Sequence, residues 1–443
     1  MDISETLEYI RTYNYTYKHE DLSRVRELLH KLGDPDRNLR FVHVAGTNGK
    51  GSTCAMLASI LRKAGYRTGL FTSPHILRYN ERMQIDGVQI SDDDLVSATE
   101  KVRSVLDLTD DKVNLFEMTM CTALVWFAEK KADIVVFEVG LGGLLDGTNV
   151  IDVPEVAVIT NIGLDHTEIL GNTLQEIAWQ KAAIIKAGGT AVVYRGPQEV
   201  EEVFENRCRE VNARLVKADF DSISEGDADI YGQTFDAEGM HGIHIPLAGE
   251  HQKKNTAVAI CAARALADNG WHITEKDIRS GLEDTVWPVR FEVVSRDPLF
   301  IIDGGHNPQC AEAVRDSLIS LIPSGTRIVY LMGILADKDF TDVIKILGSV
   351  SGEFVTVTPD SHRALDAAEL AGHIEESGFT AIPCPSVEAG IETALQLADG
   401  GVVCCVGSLY LAGDVRRHFS PVLGFDRTAQ EEEHNGKSTP LLQ

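Results

Sequence analysis

The chain has 443 residues, enough for two or three domains with their own hydrophobic cores. Hydrophobic residues make up 44% and charged residues 24%, as in ordinary soluble enzymes, and the formal net charge of −26 argues against nucleic acid or an anionic membrane as a bulk partner. A site for an anion such as ATP must therefore be built locally, from lysines, backbone N–H groups and a divalent metal.

The N-terminal segment lacks a basic start followed by an apolar core, and no apolar stretch approaches the roughly 18 residues of a membrane span. The eight cysteines show no C-x-x-C spacing, and Cys404 and Cys405 lie inside an apolar run. Such cysteines are more often buried small hydrophobes than metal ligands or disulfide partners. We therefore expect a cytoplasmic protein with reduced cysteines.

Short apolar runs alternate with amphipathic helical segments along the first two thirds of the chain. The runs "RFVHVAG", "RTGLFTS", "DIVVFEVG" and "EVAVIT" predict strands, and "STCAMLASILRKAG" predicts a helix ended by Gly65. Apolar strands separated by helices predict a parallel sheet covered on both faces. The first domain is therefore expected to have an α/β fold like that of P-loop NTPases.

A second series of strand-like runs begins near residue 298 and comprises "PLFIIDGG", "RIVYLMG", "EFVTVTP" and "GVVCCVGS". This series predicts a smaller Rossmann-like α/β domain. The stretch "VSRDPLF" carries charge and a proline, so we place the boundary there, with domains over 1–296 and 297–418. Residues 419–443 lose periodicity and are expected to form a flexible tail.

The segment "HVAGTNGKGST", residues 43–53, follows the first strand and contains a Gly-Lys pair. The common phosphate loop G-x-x-x-x-G-K-[ST] would require glycine where Val44 stands and a hydroxyl where Gly51 stands. The glycines nevertheless let the backbone approach an anion, and a helix beginning near Ser52 adds its positive end. Lys50 would supply a point charge. The alternative is a glycine-rich turn without a ligand.

The ends of the neighbouring predicted strands also carry polar residues. Glu138 ends a strongly apolar strand, where a magnesium ion would compensate the buried carboxylate; the alternative is an acid pointing into solvent. Ser73 and His166 follow two other strands and are individually weak candidates for the same metal. Lys181 lies among apolar residues, which would favour its neutral amine and permit carbamylation, although a lysine that snorkels to the surface is the more common arrangement.

Seven motifs occur in the order found in folylpolyglutamate synthase/dihydrofolate synthase, a family of the Mur ligase superfamily. They are "HVAGTNGKGST", "FTSPHILRYNERM", "FEVGLGG", "NIGLDHTEILG", "WPVRFEVV", "IIDGGHNPQ" and "MGILADKDF". The chain resembles this family from about residue 20 to about 417. The resemblance explains the loop, because G-T-N-G-K-G-S is the family's own phosphate loop.

The resemblance implies a role for each matching residue. ATP would be held by Gly46, Thr47, Asn48, Gly49, Lys50, Gly51, Ser52, Asn255, Arg290 and Asp303. Magnesium, at two sites, would be held by Ser73, Glu138 and His166, with Lys181 as the lysine that is carbamylated in the family. Catalytic roles would fall to Lys50, Lys181, His166 and His306. The pterin-bearing substrate would contact Asp21, Leu22, Ser23, Phe116, Glu117, Leu145, Asp146 and Gly147.

The implied reaction transfers the γ-phosphoryl group of ATP to a carboxylate of a reduced folate or of dihydropteroate. The amine of L-glutamate then attacks the acyl phosphate. Two stretches depart from the family pattern: "GGLLDGTN" has Leu144 where arginine is usual and Gly147 where alanine is usual, and "QKAAI" replaces E-K-A-G-I. The first departure leaves the choice between the two acceptors open. We also expect a monomer.

Two other functions remain open from the sequence. One is a different Mur-superfamily ligase that acts on a cell-wall precursor, with which "HNP" and "DHTE" are shared. The other is a regulatory nucleotide-binding module without ligase activity, which would not need metal ligands at the strand ends. "FTSPH" and K-G-S favour the folate family.

Overall fold

The computed structural model describes residues 1–13, 21–108, 113–338, 340–361 and 363–423. The chain forms two compact units. The first comprises residues 1–226, 234–245 and 252–286, and the second comprises residues 227–233, 246–251 and the chain from 287 onward.

The first unit is built on an eight-stranded sheet. Its strands are β1 (Phe41–Ala45), β2 (Thr68–Phe71), β3 (Met83–Ile85), β4 (Val88–Gln89), β5 (Ile134–Glu138), β6 (Val156–Ile159), β7 (Thr190–Val193) and β8 (Arg214–Lys217). They lie in the order β4-β3-β2-β5-β1-β6-β7-β8, and all neighbours from β2 to β8 are parallel. The four strands predicted in this part of the sequence are β2, β5, β1 and β6, the centre of the sheet.

Helices of this unit are α1 (Ile3–Arg11), α2 (Ser23–Lys31), α3 (Lys50–Lys63), α4 (Asp92–Leu106), α5 (Leu115–Glu129), α6 (Thr167–Leu170), α7 (Leu174–Ala182), α8 (Gln198–Glu210), most of α9 (Glu250–Asp268) and α10 (Glu275–Glu283). Three short strands, β9 (Ala228–Asp229), β10 (Gly232–Ala237) and β11 (Met240–Ile245), form a separate small sheet. Within the described ranges, none of the helices combines the length and the apolar composition that a bilayer crossing requires.

The second unit contains a six-stranded sheet of order β12-β13-β17-β14-β15-β16. Its strands are β12 (Glu292–Arg296), β13 (Leu299–Ile302), β14 (Ile328–Met332), β15 (Glu353–Thr356), β16 (Thr380–Pro383) and β17 (Val402–Val406). Its helices are α11 (Pro308–Leu321), α12 (Phe340–Gly348), α13 (Ala367–Glu376), α14 (Val387–Ala398) and α15 (Leu409–Leu423). All strand pairs are parallel except β12 with β13. The predicted class, a large parallel-sheet domain and a smaller α/β domain, is confirmed.

Two predicted limits differ from the structure. "VSRDPLF" contains the turn of a hairpin, because β12 pairs antiparallel with β13. The last segment of the second unit begins at Trp287 instead of at residue 297. Residues 419–423 continue α15, with the Phe419 ring 4.9 Å from that of Phe300. The rest of the predicted tail, 424–443, lies outside the described residues. The eight cysteines are free, and all except the half-buried Cys310 are buried, as predicted.

Candidate functional site

The register of the large sheet brings the predicted loop and the predicted metal ligand to one edge. Val44 lies opposite Glu138 in the β1–β5 pair, and Ala45 lies opposite Ile159 in the β1–β6 pair. The segments that follow β1, β5 and β6 therefore leave the sheet side by side. This is the carboxyl end of the parallel strands, where ligands of open α/β sheets bind.

The loop after β1 requires glycine at two positions. Gly46 has φ +152°, and a Cβ atom there would lie 1.8 Å from Thr160 Oγ1. Gly49 has φ +86°, and its Cβ would lie 2.4 Å from Asn255 Oδ1. Helix α3 begins at Lys50, two residues before Ser52, where the start was predicted, and the left-handed Gly49 is its N-cap. The positive end of α3 therefore lies at the loop.

Contacts from neighbouring strand ends fix the loop backbone. The Thr47 N–H donates to Asn161 O at 2.7 Å, and Thr160 Oγ1 donates to Asn48 O at 2.8 Å. Ser52 is buried, and its Oγ accepts a hydrogen bond from Gln252 Nε2 at 3.3 Å. The structure thus brings Thr47, Asn48, Ser52 and Asn255 together around Gly49, with Gly51 in the first turn of α3. Their roles toward ATP stay predictions.

Two lysines meet at one carbonyl of the loop. Lys50 Nζ donates to Gly46 O and Thr47 O, each at 3.1 Å, and Lys181 Nζ donates to Gly46 O at 3.0 Å. Lys181 is 4% exposed, so the expectation that this lysine snorkels to the surface is wrong. Burial, reinforced by the charge of Lys50, lowers the Lys181 pKa to about 7. A large fraction of Lys181 is therefore a neutral amine near neutral pH.

Lys181 also makes stability depend on pH. Its pKa is about 7 in the folded protein and near 10.5 in the unfolded chain, so between these values only the unfolded chain holds the proton. Stability therefore rises with pH in that window, by up to about 1.4 kcal/mol per unit. In Lys181→Met this dependence is removed, and Gly46 O keeps Lys50 as its donor. We expect the unfolding free energy of the variant, relative to that of the parent protein, to fall by about 3 kcal/mol from pH 6 to pH 9.

Urea unfolding in buffer free of bicarbonate and magnesium measures this difference. Lys101→Met, at a side chain that is 48% exposed, is the control for the exchange of a lysine for methionine at the surface. A difference between Lys181→Met and the parent protein that is the same at both pH values would contradict the burial of a titrating amine.

Glu138 and Ser73 are in direct contact. The Ser73 N–H donates to Glu138 Oε2 at 2.8 Å, and Glu138 is 4% exposed, so the alternative of an acid pointing into solvent is wrong. No three His, Cys, Asp or Glu side chains come together as a metal cage among the described residues. A carboxylate and a hydroxyl nevertheless suit magnesium, which commonly takes one or two protein carboxylates and completes its shell with phosphates and water.

His166 lies in a different setting from Ser73 and Glu138. It precedes the short helix α6 with φ +50°, and its side chain is 41% exposed. Its Nε2 lies 3.9 Å from Asp165 Oδ1, and the Asp165 carboxylate also acts on Lys181, where it opposes the lowering of the pKa. His166 is thus associated with Asp165, and a ligand role beside Glu138 stays a prediction.

The residues predicted to contact the pterin-bearing substrate form a connected group. Asp21 Oδ1 accepts from the Ser23 N–H at 2.9 Å, and the Asp21 carbonyl accepts from Arg24 Nη1 at 2.9 Å. Arg24 also forms an ion pair with Glu117, whose Cγ lies 3.1 Å from where a Cβ of Gly147 would be. Arg24 was not among the residues predicted from the sequence to contact the substrate, although it directly follows the predicted Asp21-Leu22-Ser23 segment.

The remaining members of the group lie around Asp146. Asp146 Oδ2 accepts from the Leu141 N–H at 2.8 Å, and a Cβ at Gly140 would lie 2.7 Å from the Phe116 ring and 3.2 Å from Asp146 Oδ2. Leu145 is 47% exposed and directly precedes Asp146. Burial raises the pKa of Asp146, while the N–H and hydroxyl donors around its carboxylate oppose this.

A buried chain of hydrogen bonds connects Asp146 to His43 through Thr148. The Thr148 hydroxyl donates to Asp146 Oδ1, and Thr148 Oγ1 lies 2.9 Å from His43 Nε2. Burial lowers the His43 pKa to about 3, so this histidine is neutral and Nε2–H is the donor that matches an ionised Asp146. Nothing in the sequence alone pairs His43 with Thr148, because the two residues are 105 positions apart and meet only in the fold.

The pair of Arg24 and Glu117 gives a second stability test. Glu117 is 2% exposed and Arg24 is 16% exposed, so Arg24→Met would leave a buried carboxylate without its partner. Such a loss costs about 3 kcal/mol or more. We expect the double variant Arg24→Met/Glu117→Gln to recover most of that loss, since the glutamine side chain keeps an acceptor for the Asn114 N–H and carries no charge. Urea unfolding measures both variants, and an equal loss in the two would contradict the role of charge.

Three predicted residues lie in the second unit, close to one another in the fold. Asp303 Oδ2 accepts from the Phe291 N–H at 2.9 Å, and its Oδ1 accepts from the Gly305 N–H at 2.7 Å. Arg290 lies against Gly304, with Nη1 3.0 Å from where a Cβ of Gly304 would be. His306 is half-buried, and its Nδ1 lies 3.4 Å from Gly304 O. The second unit thus brings Arg290, Asp303 and His306 together around one short turn.

Comparison with known proteins gives a consistent picture. Residues 44–263 match the Mur ligase middle domain, and residues 289–409 match the Mur ligase glutamate ligase domain. The folylpolyglutamate synthase of Lacticaseibacillus casei is 35% identical over 94% of this chain and 98% of its own. The dihydrofolate synthase/folylpolyglutamate synthase of Bacillus subtilis (strain 168) is 34% identical over 89% and 94%. The structure of Mycobacterium tuberculosis folylpolyglutamate synthase complexed with ADP superposes with a TM-score of 0.88, at 29% identity over 94% and 98% of the two chains.

Proposed function

The chain belongs to the folylpolyglutamate synthase/dihydrofolate synthase family of Mur ligases, and on that basis we propose that it is an ATP-dependent ligase that joins L-glutamate to a folate-type carboxylate. The observation that carries the proposal furthest is the meeting of two lysine amines at Gly46 O. Of these two, the amine of Lys50 together with the positive end of α3 supplies the local positive charge that a triphosphate needs on a chain of net charge −26.

The reaction begins with transfer of the γ-phosphoryl group of ATP to the acceptor carboxylate, which gives an acyl phosphate and ADP. The amine of glutamate then attacks the acyl carbon, the new amide forms, and inorganic phosphate leaves with the electron pair of the broken C–O bond. No covalent protein nucleophile is needed, because positioning and charge neutralisation carry phosphoryl transfer. Lys50 neutralises the transferring group, the loop N–H groups hold the phosphates, and His306 remains a proposed catalytic residue of the second unit.

Magnesium is proposed at Glu138 and Ser73, whose hard oxygen atoms fit this ion, and a second site is proposed with His166. When bound, magnesium would neutralise charge on the phosphates. Carbamylation is proposed at Lys181, because its amine is buried and its pKa of about 7 leaves the nucleophilic neutral form available to carbon dioxide. The carbamate would turn this position into an anionic oxygen ligand.

The acceptor is proposed to bind at the group formed by Asp21, Leu22 and Ser23, by Phe116 and Glu117, and by Leu145, Asp146 and Gly147. Asp146 offers a fixed carboxylate to N–H donors of a pterin ring, since Leu141 and Thr148 hold it in place. The alternatives of a cell-wall ligase and of a regulatory module are not retained, because the relatives that match most of the chain carry folate names. We propose a monomer in the cytoplasm, a reducing compartment that suits eight free cysteines.

Product analysis tests this function. The protein is incubated with ATP, magnesium, L-glutamate and tetrahydrofolate, and mass spectrometry follows the acceptor. We expect an acceptor that is heavier by one glutamyl residue, and, when hydroxylamine replaces glutamate, a hydroxamate of the acceptor that reports the acyl phosphate. ADP formation without any change in the acceptor would contradict the ligase assignment.

A further inference from the structure

Arg290 stands between two residues with unusual backbone geometry. Val289 has φ +52° and Phe291 has φ +48°, although neither is glycine and Val289 is β-branched. Residues other than glycine rarely adopt this left-handed backbone conformation, and β-branched or bulky residues adopt it least often. Both side chains are buried, with exposures of 0% and 3%. Strain of this kind persists only where surrounding contacts hold the backbone in place.

Three hydrogen bonds hold this turn. The Val289 N–H donates to Glu292 Oε2 at 2.8 Å, the Gly304 N–H donates to Val289 O at 3.0 Å, and the Phe291 N–H donates to Asp303 Oδ2 at 2.9 Å. Arg290 Nη1 itself donates to Val289 O at 2.9 Å. The place of the guanidinium therefore depends on the strained peptide at Val289.

The Glu292 carboxylate is in turn held by Arg416 of α15. Arg416 Nε lies 3.2 Å from Glu292 Oε1 and 3.1 Å from Oε2, and the Arg416 side chain is only 9% exposed. The Glu292 carboxylate thus accepts hydrogen bonds both from the N–H of the strained Val289 and from the buried guanidinium of Arg416. Hydrogen bonds between ionised groups are among the stronger ones in proteins.

We infer that Arg416 is a positioning residue, which acts through Glu292 on the backbone of Val289 and so holds Arg290 in place for nucleotide. The inference rests on the proposed function and on the contact to ATP that the family resemblance implies for Arg290. Arg416 itself need not touch the nucleotide. If the ion pair between Arg416 and Glu292 is lost, the backbone at Val289 can relax out of the left-handed region, and the Arg290 side chain is then no longer held in one direction. The strained backbone at Val289 and the ion pair that holds it both lie within the second unit.

Calorimetric titration of the full chain with ADP tests this inference. We expect Arg416→Met to weaken ADP binding by about tenfold, in line with the loss of one well-placed charged contact. Glu292→Gln keeps an acceptor for the Val289 N–H but loses the ion pair, so it should weaken binding by a smaller factor of about threefold. Arg417→Ala is the matched control on the same helix, since its side chain is 44% exposed and should leave binding unchanged.

Two further variants distinguish positioning from a general loss of structure. Combined with Arg290→Met, Arg416→Met should weaken binding no further than Arg290→Met alone, because both act on the same contact. Val289→Gly, which adopts the left-handed backbone without strain, should restore most of the binding in Arg416→Met. Parent-like binding in Arg416→Met, additive losses in the double variant, or no rescue by Val289→Gly would each overturn the inference. Absence of ADP binding by the parent protein would overturn the proposed function first.

Discussion

Replacing Lys50 with alanine is expected to lower kcat for ATP-dependent phosphate release by on the order of 10³-fold. Lys50 Nζ lies on the loop, with Gly46 O and Thr47 O each 3.1 Å away, so its amine is held at the proposed phosphate site. Removal of this charge leaves the developing negative charge on the transferring group without its nearest fixed cation. Phosphate release at saturating ATP and acceptor measures the effect.

Lys63→Ala is the matched control, because Lys63 lies at the other end of the same helix α3 and forms an ion pair with Asp284. It should retain nearly parent activity. Circular dichroism on both variants checks that the fold is intact. A folded Lys50→Ala protein that releases phosphate at the parent rate would remove the phosphate-loop assignment.

Glu138→Gln is expected to raise the magnesium concentration needed for half-maximal activity at least tenfold, and to lower kcat by about 10²-fold. Glutamine retains an oxygen to accept the Ser73 N–H, so the contact within the protein survives while the negative charge is lost. The expected effect is therefore on the metal and not on the fold. A magnesium titration of phosphate release at fixed ATP measures it.

Glu129→Gln serves as the comparison, since Glu129 ends α5, is 43% exposed and pairs with Lys101. Its magnesium dependence should match that of the parent protein. If Glu138→Gln gave the same magnesium curve as Glu129→Gln, then Glu138 would not be a metal ligand.

The central strands were predictable because parallel strands buried on both faces are continuous apolar runs. β1 and β5 are buried along their whole lengths, and both were predicted. The strands that escaped prediction lie nearer the edges or carry polar residues. β8 reads "RLVK" and β16 reads "TAIP", and neither has a fully buried pattern. Such strands are fixed by their neighbours in the sheet and give little signal of their own.

The candidate site likewise contains residues that could be predicted from the sequence and residues that could not. Gly46, Gly49, Lys50 and Glu138 were predictable because each lies within a few residues of the end of an apolar strand. The burial of Lys181 was not, because helix α7 ends at Ala182 and the amine contacts a carbonyl 135 residues away. Arg24 with Glu117 and His43 with Thr148 were missed for the same reason: each pair is distant in sequence and is joined only by the fold.

The domain limit shows how charge and proline can mislead. "SRDP" has the composition of a linker, yet Glu292–Arg296 and Leu299–Ile302 pair as a hairpin across it. The last segment of the second unit begins instead at Trp287, which leads directly into the strained turn at Arg290.

Phosphate release with ATP, magnesium and glutamate, compared among tetrahydrofolate, dihydropteroate and no acceptor, tests whether the protein is a folate-glutamate ligase. We expect release that depends on an acceptor and on glutamate and is at background level without them. Release with both acceptors would show that Leu144 and Gly147 are compatible with a bifunctional synthase, and release with tetrahydrofolate alone would identify a folylpolyglutamate synthase. Release that is the same with and without acceptor, or absent with both, would contradict the assignment as a folate-glutamate ligase.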